Sequence, residues 1–304
     1  MRARMLRIAV AACICVAAGL ALSADEQSPE QLWETKQSDA TTAELQRRDA
    51  LLESELASGS APEWAGKYFR GDGLGVNVHV TVAPKSGFTF AWYGCLGRYD
   101  VNYGTVSASN GRLALGFELP NSQRGFEGIP EAFVPVRWGE RLYLLGADQA
   151  KEFANAVNSG REPCQRFCSE FLLREGDELI DVEGAPGLPP DWSRYLLSRP
   201  IEANLLQLLE TTLVPDTSGS ADDPYSWRKT RIEIAAGRKQ GVWQGMTFFD
   251  SAPDSRGIEY TVVSVGPETS VAESRDLVSS GGEDDAVKMP VALSTRMYSR
   301  GASQ

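Results

Sequence analysis

The chain has 304 residues, enough for two domains of ordinary size. Hydrophobic residues make up 42% of it, which supports packed cores and excludes wholesale disorder. The formal net charge is −11; that balance argues against nucleic acid, whose phosphates are held by clustered Lys and Arg, and against an anionic membrane surface. Solubility alone is a sufficient reason for such acidity.

Arg2, Arg4 and Arg7 form a positive start, followed by an apolar run from Ile8 to Leu22. Ala21-Leu22-Ser23 then places small residues where a signal peptidase cuts. Residues 1–23 are therefore expected to be a signal peptide. Its removal leaves 27 basic against 41 acidic residues, or −14. A membrane anchor is the alternative, but the run is shorter than the roughly 20 residues needed to span a bilayer. Cys13 and Cys15 lie inside the run rather than after it, which disfavours a lipoprotein. The expectation is a periplasmic or secreted protein with no transmembrane segment in the mature chain.

Residues 25–40 are polar and read as a flexible lead-in. Thr41 and Glu44 have the spacing of a capping box. Leu45, Leu52 and Leu56 follow at helical spacing, with Glu44 and Arg48 paired at i,i+4. Gly59 and Pro62 stop this amphipathic helix, whose apolar stripe is expected to dock on the domain that follows.

From Trp64 to Leu145 the period is two. Val76, Val78, Val80 and Val82 alternate with Asn77, His79 and Thr81; Phe88, Phe90 and Trp92 alternate next. Ser109-Asn110-Gly111 is a hairpin signal before Leu113, Leu115 and Phe117. Val134, Val136 and Trp138 alternate again, and Gly139-Glu140 turns into Arg141–Leu145. A short helix over 148–157, capped by Asp148, comes next. Pro163 to Asp191 reads as irregular, with the domain boundary near Pro186–Pro200. Beyond it, Ile201–Val214 is a kinked strand or a short helix, and Thr230, Ile232 and Ile234 open a second alternating set. The fold class expected is mainly β: two small β-barrel or β-sandwich domains, 62–190 and 198–304, with a short N-terminal helix within 24–61 and a helix near 148–157.

Gly237-Arg238-Lys239-Gln240-Gly241-Val242-Trp243-Gln244-Gly245-Met246 resembles a motif of the small β-barrel domains in envelope assembly proteins. The rod-shape-determining protein MreC and flagellar assembly protein T belong to that group. The resemblance covers about residues 200–297. It implies a barrel whose end is plugged by Val242 and Met246, and a scaffolding role without catalytic residues. Gly66–Gly73, together with Gly94–Tyr99, resembles the opening of exported bacterial proteins of unknown function and implies no activity.

Candidate chemistry is sparse. Cys95, Cys164 and Cys168 stay after processing, an odd number for an oxidising compartment. A C-x3-C bridge would constrain little chain, whereas Cys95 joined to either partner would close a loop of about 70 residues, worth roughly 4 kcal/mol. Three cysteines and His79, the single histidine, match no zinc spacing, so no metal or other cofactor is expected. His79 has no G-x-S-x-G serine to activate and reads as an exposed strand residue. Gly71-Asp72-Gly73-Leu74-Gly75 precedes a strand, not a helix, and reads as a turn rather than a phosphate loop. Glu170, Glu175, Asp177 and Glu178 offer a carboxylate pair of the kind glycosidases use. Trp92, Tyr93, Tyr99, Tyr103 and Trp138 would suit a ligand groove. The functional expectation is a non-catalytic protein that binds another envelope protein. The alternative is a secreted carbohydrate-binding protein or hydrolase using the aromatic groove and an acidic pair.

Overall fold

The structure is a computed structural model. It describes residues 28–73, 75–123, 126–160, 169–182, 184–215, 225–250, 258–279 and 292–295. The signal-peptide segment, Cys164 and Cys168 lie outside the described residues, as does the side chain of Glu170.

Two closed antiparallel barrels follow two N-terminal helices. The first barrel runs β1 (Gly66–Gly71), β2 (Asn77–Ala83), β3 (Gly87–Gly94), β4 (Gly97–Ser109), β5 (Arg112–Phe117), β8 (Ala132–Trp138), β9 (Arg141–Gly146) and β10 (Ser169–Arg174). A two-stranded excursion, β6 (Ser122–Gln123) with β7 (Phe126–Glu127), sits between β5 and β8. Around the barrel the order is β1-β10-β9-β8-β5-β4-β3-β2. The second barrel is built from β11 (Glu202–Pro215), β12 (Tyr225–Ile234), β13 (Thr247–Asp250), β14 (Glu259–Val265), β15 (Ser270–Ser279) and β16 (Ala292–Ser294). Its order is β11-β12-β15-β14-β13-β16.

The alternation expected from sequence fixes what each face does. Val78, Val80 and Val82 are buried, and Phe88, Phe90, Leu113, Leu115, Leu142 and Leu144 complete the interior of the first barrel. Val76 precedes β2 and is exposed. At the β4–β5 hairpin Asn110 and Gly111 have φ of 51° and 73°, the left-handed pair that a two-residue turn needs to match strand twist. Gly104 lets β4 approach β5 closely: a Cβ there would sit 1.9 Å from the Gly116 carbonyl oxygen. Phe88 and Phe117, its cross-strand neighbours, meet edge to face at 5.2 Å beside it.

Four readings are corrected. From Ser28 the lead-in is helical: Ser28 and Gln31 form a capping box, and Pro29–Gln37 is helix α1. The cap of α2 (Asp39–Ala57) is Ser38, whose hydroxyl accepts from Thr41 N, while Glu44 instead pairs with Arg47 and Arg48. The stretch after Pro163 is not wholly irregular, because β10 closes the first barrel between β1 and β9. Phe171 and Leu173 point outward, yet they are buried beneath α3 (Ala150–Ser159) with Tyr143, Leu145 and Phe153. The helix near 148–157 begins two residues late, after a turn over Ala147–Gln149, and ends at Gly160 with φ of 69°.

In the second barrel Ile201–Val214 proves to be strand, its kinks being register shifts between Leu205 and Gln207 and between Leu208 and Glu210. Val242 and Met246 are buried with Ile232, Ile234, Phe248, Tyr260 and Leu293. Helix α3 joins the barrels through polar contacts. Asn155 Nδ2 donates to Gly245 O at 2.8 Å and its Oδ1 accepts from Thr247 N at 3.1 Å. Lys151 Nζ donates to Gln244 O at 2.8 Å and lies over the Trp243 and Tyr195 rings. Among the described residues no helix is long and apolar enough to cross a membrane.

Candidate functional site

Helix α2 lies over the outer face of β2, β3 and β4 because Leu45 and Leu52 bury themselves against it. A cleft of about 300 Å³ opens between the helix and the barrel wall. The strand pleat sets its floor: His79 and Thr81 from β2 and Thr89, Ala91 and Tyr93 from β3 all face outward. Lys67 rises from β1, Asp49 and Glu53 descend from α2, and Glu175 follows the end of β10.

The polar groups of the cleft are organised. Thr89 Oγ1 donates to Asp49 Oδ1 at 2.6 Å. Burial pushes the Asp49 carboxyl above the usual aspartate range, more than the threonine bond draws it down. Lys67 Nζ donates to Glu53 Oε1 at 2.7 Å. His79 Nδ1 is 3.5 Å from Glu175 Oε1, and this contact holds Glu175 below the usual glutamate range. The His79 ring lies in an aromatic row, 5.1 Å from Phe69 and 6.1 Å from Tyr93. Two carboxyls in one cleft are thus pushed in opposite directions, one by burial and one by its histidine.

His79 is half-exposed on its strand, as its polar phase indicates, but it is also the meeting point of residues from β1, β3 and the β10 end. The acidic group near Cys168 is split. Of its described side chains, Glu175 alone lines the cleft. Asp177 is buried; it accepts from Leu142 N at 2.8 Å and from the Arg174 guanidinium, and so fixes the start of β9.

The five aromatic residues expected in a groove fall in separate places. Tyr93 lines the cleft. Trp92 points to the opposite face and packs edge to face on Tyr99 at 5.5 Å. Tyr103 is buried under α2 beneath the Arg48 guanidinium, 4.6 Å from its ring centre. Trp138 packs under α3 against Phe153 and donates from Nε1 to Gly184 O at 2.8 Å. Cys95 is exposed in the β3–β4 turn.

Asp49, Glu53 and Lys67 escaped the sequence reading. One signal was present: Asp49 occupies the position between Leu45 and Leu52 on the apolar stripe of α2, where a carboxylate needs a partner. Among the described residues no three His, Cys, Asp or Glu side chains gather as metal ligands do. No family model matches the chain, and no curated protein or solved structure is similar enough to match it.

Proposed function

We propose that this is an exported, non-catalytic binding protein that holds another envelope protein along the strand ribbon of its second barrel. Export is supported by the Arg2-Arg4-Arg7 start, the Ile8–Leu22 run and Ala21-Leu22-Ser23. The binding reading rests on one observation. Of the twelve large apolar side chains exposed among the described residues, seven lie on β11, β12 and β15: Leu206, Leu208, Leu209, Leu213, Val214, Trp227 and Leu277.

Their arrangement suits a partner strand. Val214, Trp227 and Leu277 are direct cross-strand neighbours, so they stand side by side on one face. Among the described residues, β16 pairs with β11 only at Glu202–Asn204. Past Asn204 the outer edge of β11 has no described partner strand, while its leucines are exposed. Apolar side chains gathered on one ribbon of strands are costly in a soluble chain unless something covers them. A partner with an extended apolar segment would seat its side chains against the leucines.

The test is a paired capture from a cell-envelope fraction, with wild-type protein and with the double variant Leu209→Lys, Leu213→Lys. Retention of one envelope protein by wild type and its loss in the variant, at unchanged melting temperature, is the expected result. Equal retention by both, or retention by neither, overturns the reading. A concentration-dependent dimer in sedimentation that disappears in the variant assigns the ribbon to a second copy of this chain instead.

A further inference from the structure

The cleft is built from α2, β1, β2, β3 and the residue after β10, none of them part of the β11–β12–β15 ribbon, and has its own chemistry. We propose that it is a binding site for a neutral, hydroxyl-rich small molecule of the saccharide class, stacked on Tyr93 and hydrogen-bonded by Asp49, Lys67 and Glu175. Its volume of about 300 Å³ is at the lower end for ligand sites, enough for a small ligand.

The charges select the ligand. Three carboxylates line the cleft, from Asp49, Glu53 and Glu175, so a phosphate or carboxylate ligand meets repulsion. A cationic ligand is drawn by that negative excess but must compete with Lys67, which already bonds Glu53 and interacts electrostatically with Glu175 and Asp49. A neutral polyol avoids both penalties. Its hydroxyls donate to the carboxylates and accept from the lysine, and charged partners make the stronger hydrogen bonds. One wall is aromatic. Tyr93 is 40% exposed, and its ring is steadied by the edge of His79. The C–H face of a sugar ring packs on such a surface while the hydroxyls around its rim reach the polar groups.

The protein carries its own probe. His79 is the single histidine of the chain and lines this cleft, so its imidazole gives one assignable NMR signal there. The intact processed protein is titrated with maltose, cellobiose and N,N′-diacetylchitobiose, and in parallel with spermidine and inorganic phosphate. The expected result is a saturable His79 shift with at least one disaccharide, unchanged in Tyr93→Phe and at least tenfold weaker in both Tyr93→Ala and Asp49→Asn. Tyr93 is partly exposed, so its replacement leaves the barrel core intact, which the melting temperature verifies. No saturable shift with any disaccharide overturns the proposal. So does equal affinity in Tyr93→Ala, or saturable binding of spermidine or phosphate alone.

Discussion

Lys36 Nζ lies 2.7 Å from Asp100 Oδ1, and both side chains are shut away from solvent, at 0% and 3% exposure. The pair joins α1 to β4 of the first barrel. Around it, Arg98 Nη2 donates to Lys36 O and Gln37 Nε2 donates to Arg98 O, so the end of α1 is tied to the start of β4 by several groups at once. Removing one member leaves a buried charge without its counter-charge, which costs about 3–5 kcal/mol, whereas replacing both by apolar groups of similar size is close to neutral. Lys36→Met is therefore expected to lower stability by about that much in urea unfolding, and the double variant Lys36→Met, Asp100→Leu to recover most of it.

A pH effect follows from Asp49. Burial raises its carboxyl above the usual aspartate range in the folded protein. The folded state then holds a proton that the unfolded chain has already lost, so this group favours folding more as pH falls through its folded value, and less as pH rises through it. Asp49→Asn keeps an acceptor for Thr89 but cannot ionise. The variant is expected to gain melting temperature over wild type near pH 7, with the gain shrinking towards pH 4. A gain independent of pH would contradict the assignment.

Gly104 tests the closeness of β4 and β5. An added Cβ would lie 1.9 Å from the Gly116 carbonyl oxygen and 3.2 Å from the Phe88 ring, so the strands must part. Gly104→Ala is expected to cost about 3 kcal/mol by overpacking. Gly111→Ala, where φ is 73° and nothing lies within 4 Å, is expected to cost about 1 kcal/mol of backbone strain alone. Chemical denaturation of the two variants gives the comparison.

Asn155 bonds Gly245 and Thr247 across the barrel junction with both ends of its amide. Asn155→Leu removes both bonds and touches neither barrel core. The expected outcome is a larger radius in small-angle scattering, with the unfolding of each barrel unchanged. Lys151→Ala, which removes the contact with Gln244 O, is expected to act in the same direction.

Strands that advertise themselves locally are legible before any fold is known. Alternating valines and phenylalanines mark β2 and β3, and Asn110-Gly111 marks a two-residue hairpin, because a pleat of period two and positive φ are properties of neighbouring residues. Tertiary structure decided the rest. In β10 the run Phe171–Leu173 is buried on both faces, so it lacks alternation, and the strand's role depends on its pairing with β1 and β9. Lys36 reads as a surface lysine until Asp100 is beside it. His79 and Glu175 are far apart in the chain and meet only because barrel closure brings the end of β10 next to β1 and β2. Local pattern sets which face a residue takes; pairing of distant strands sets what it faces.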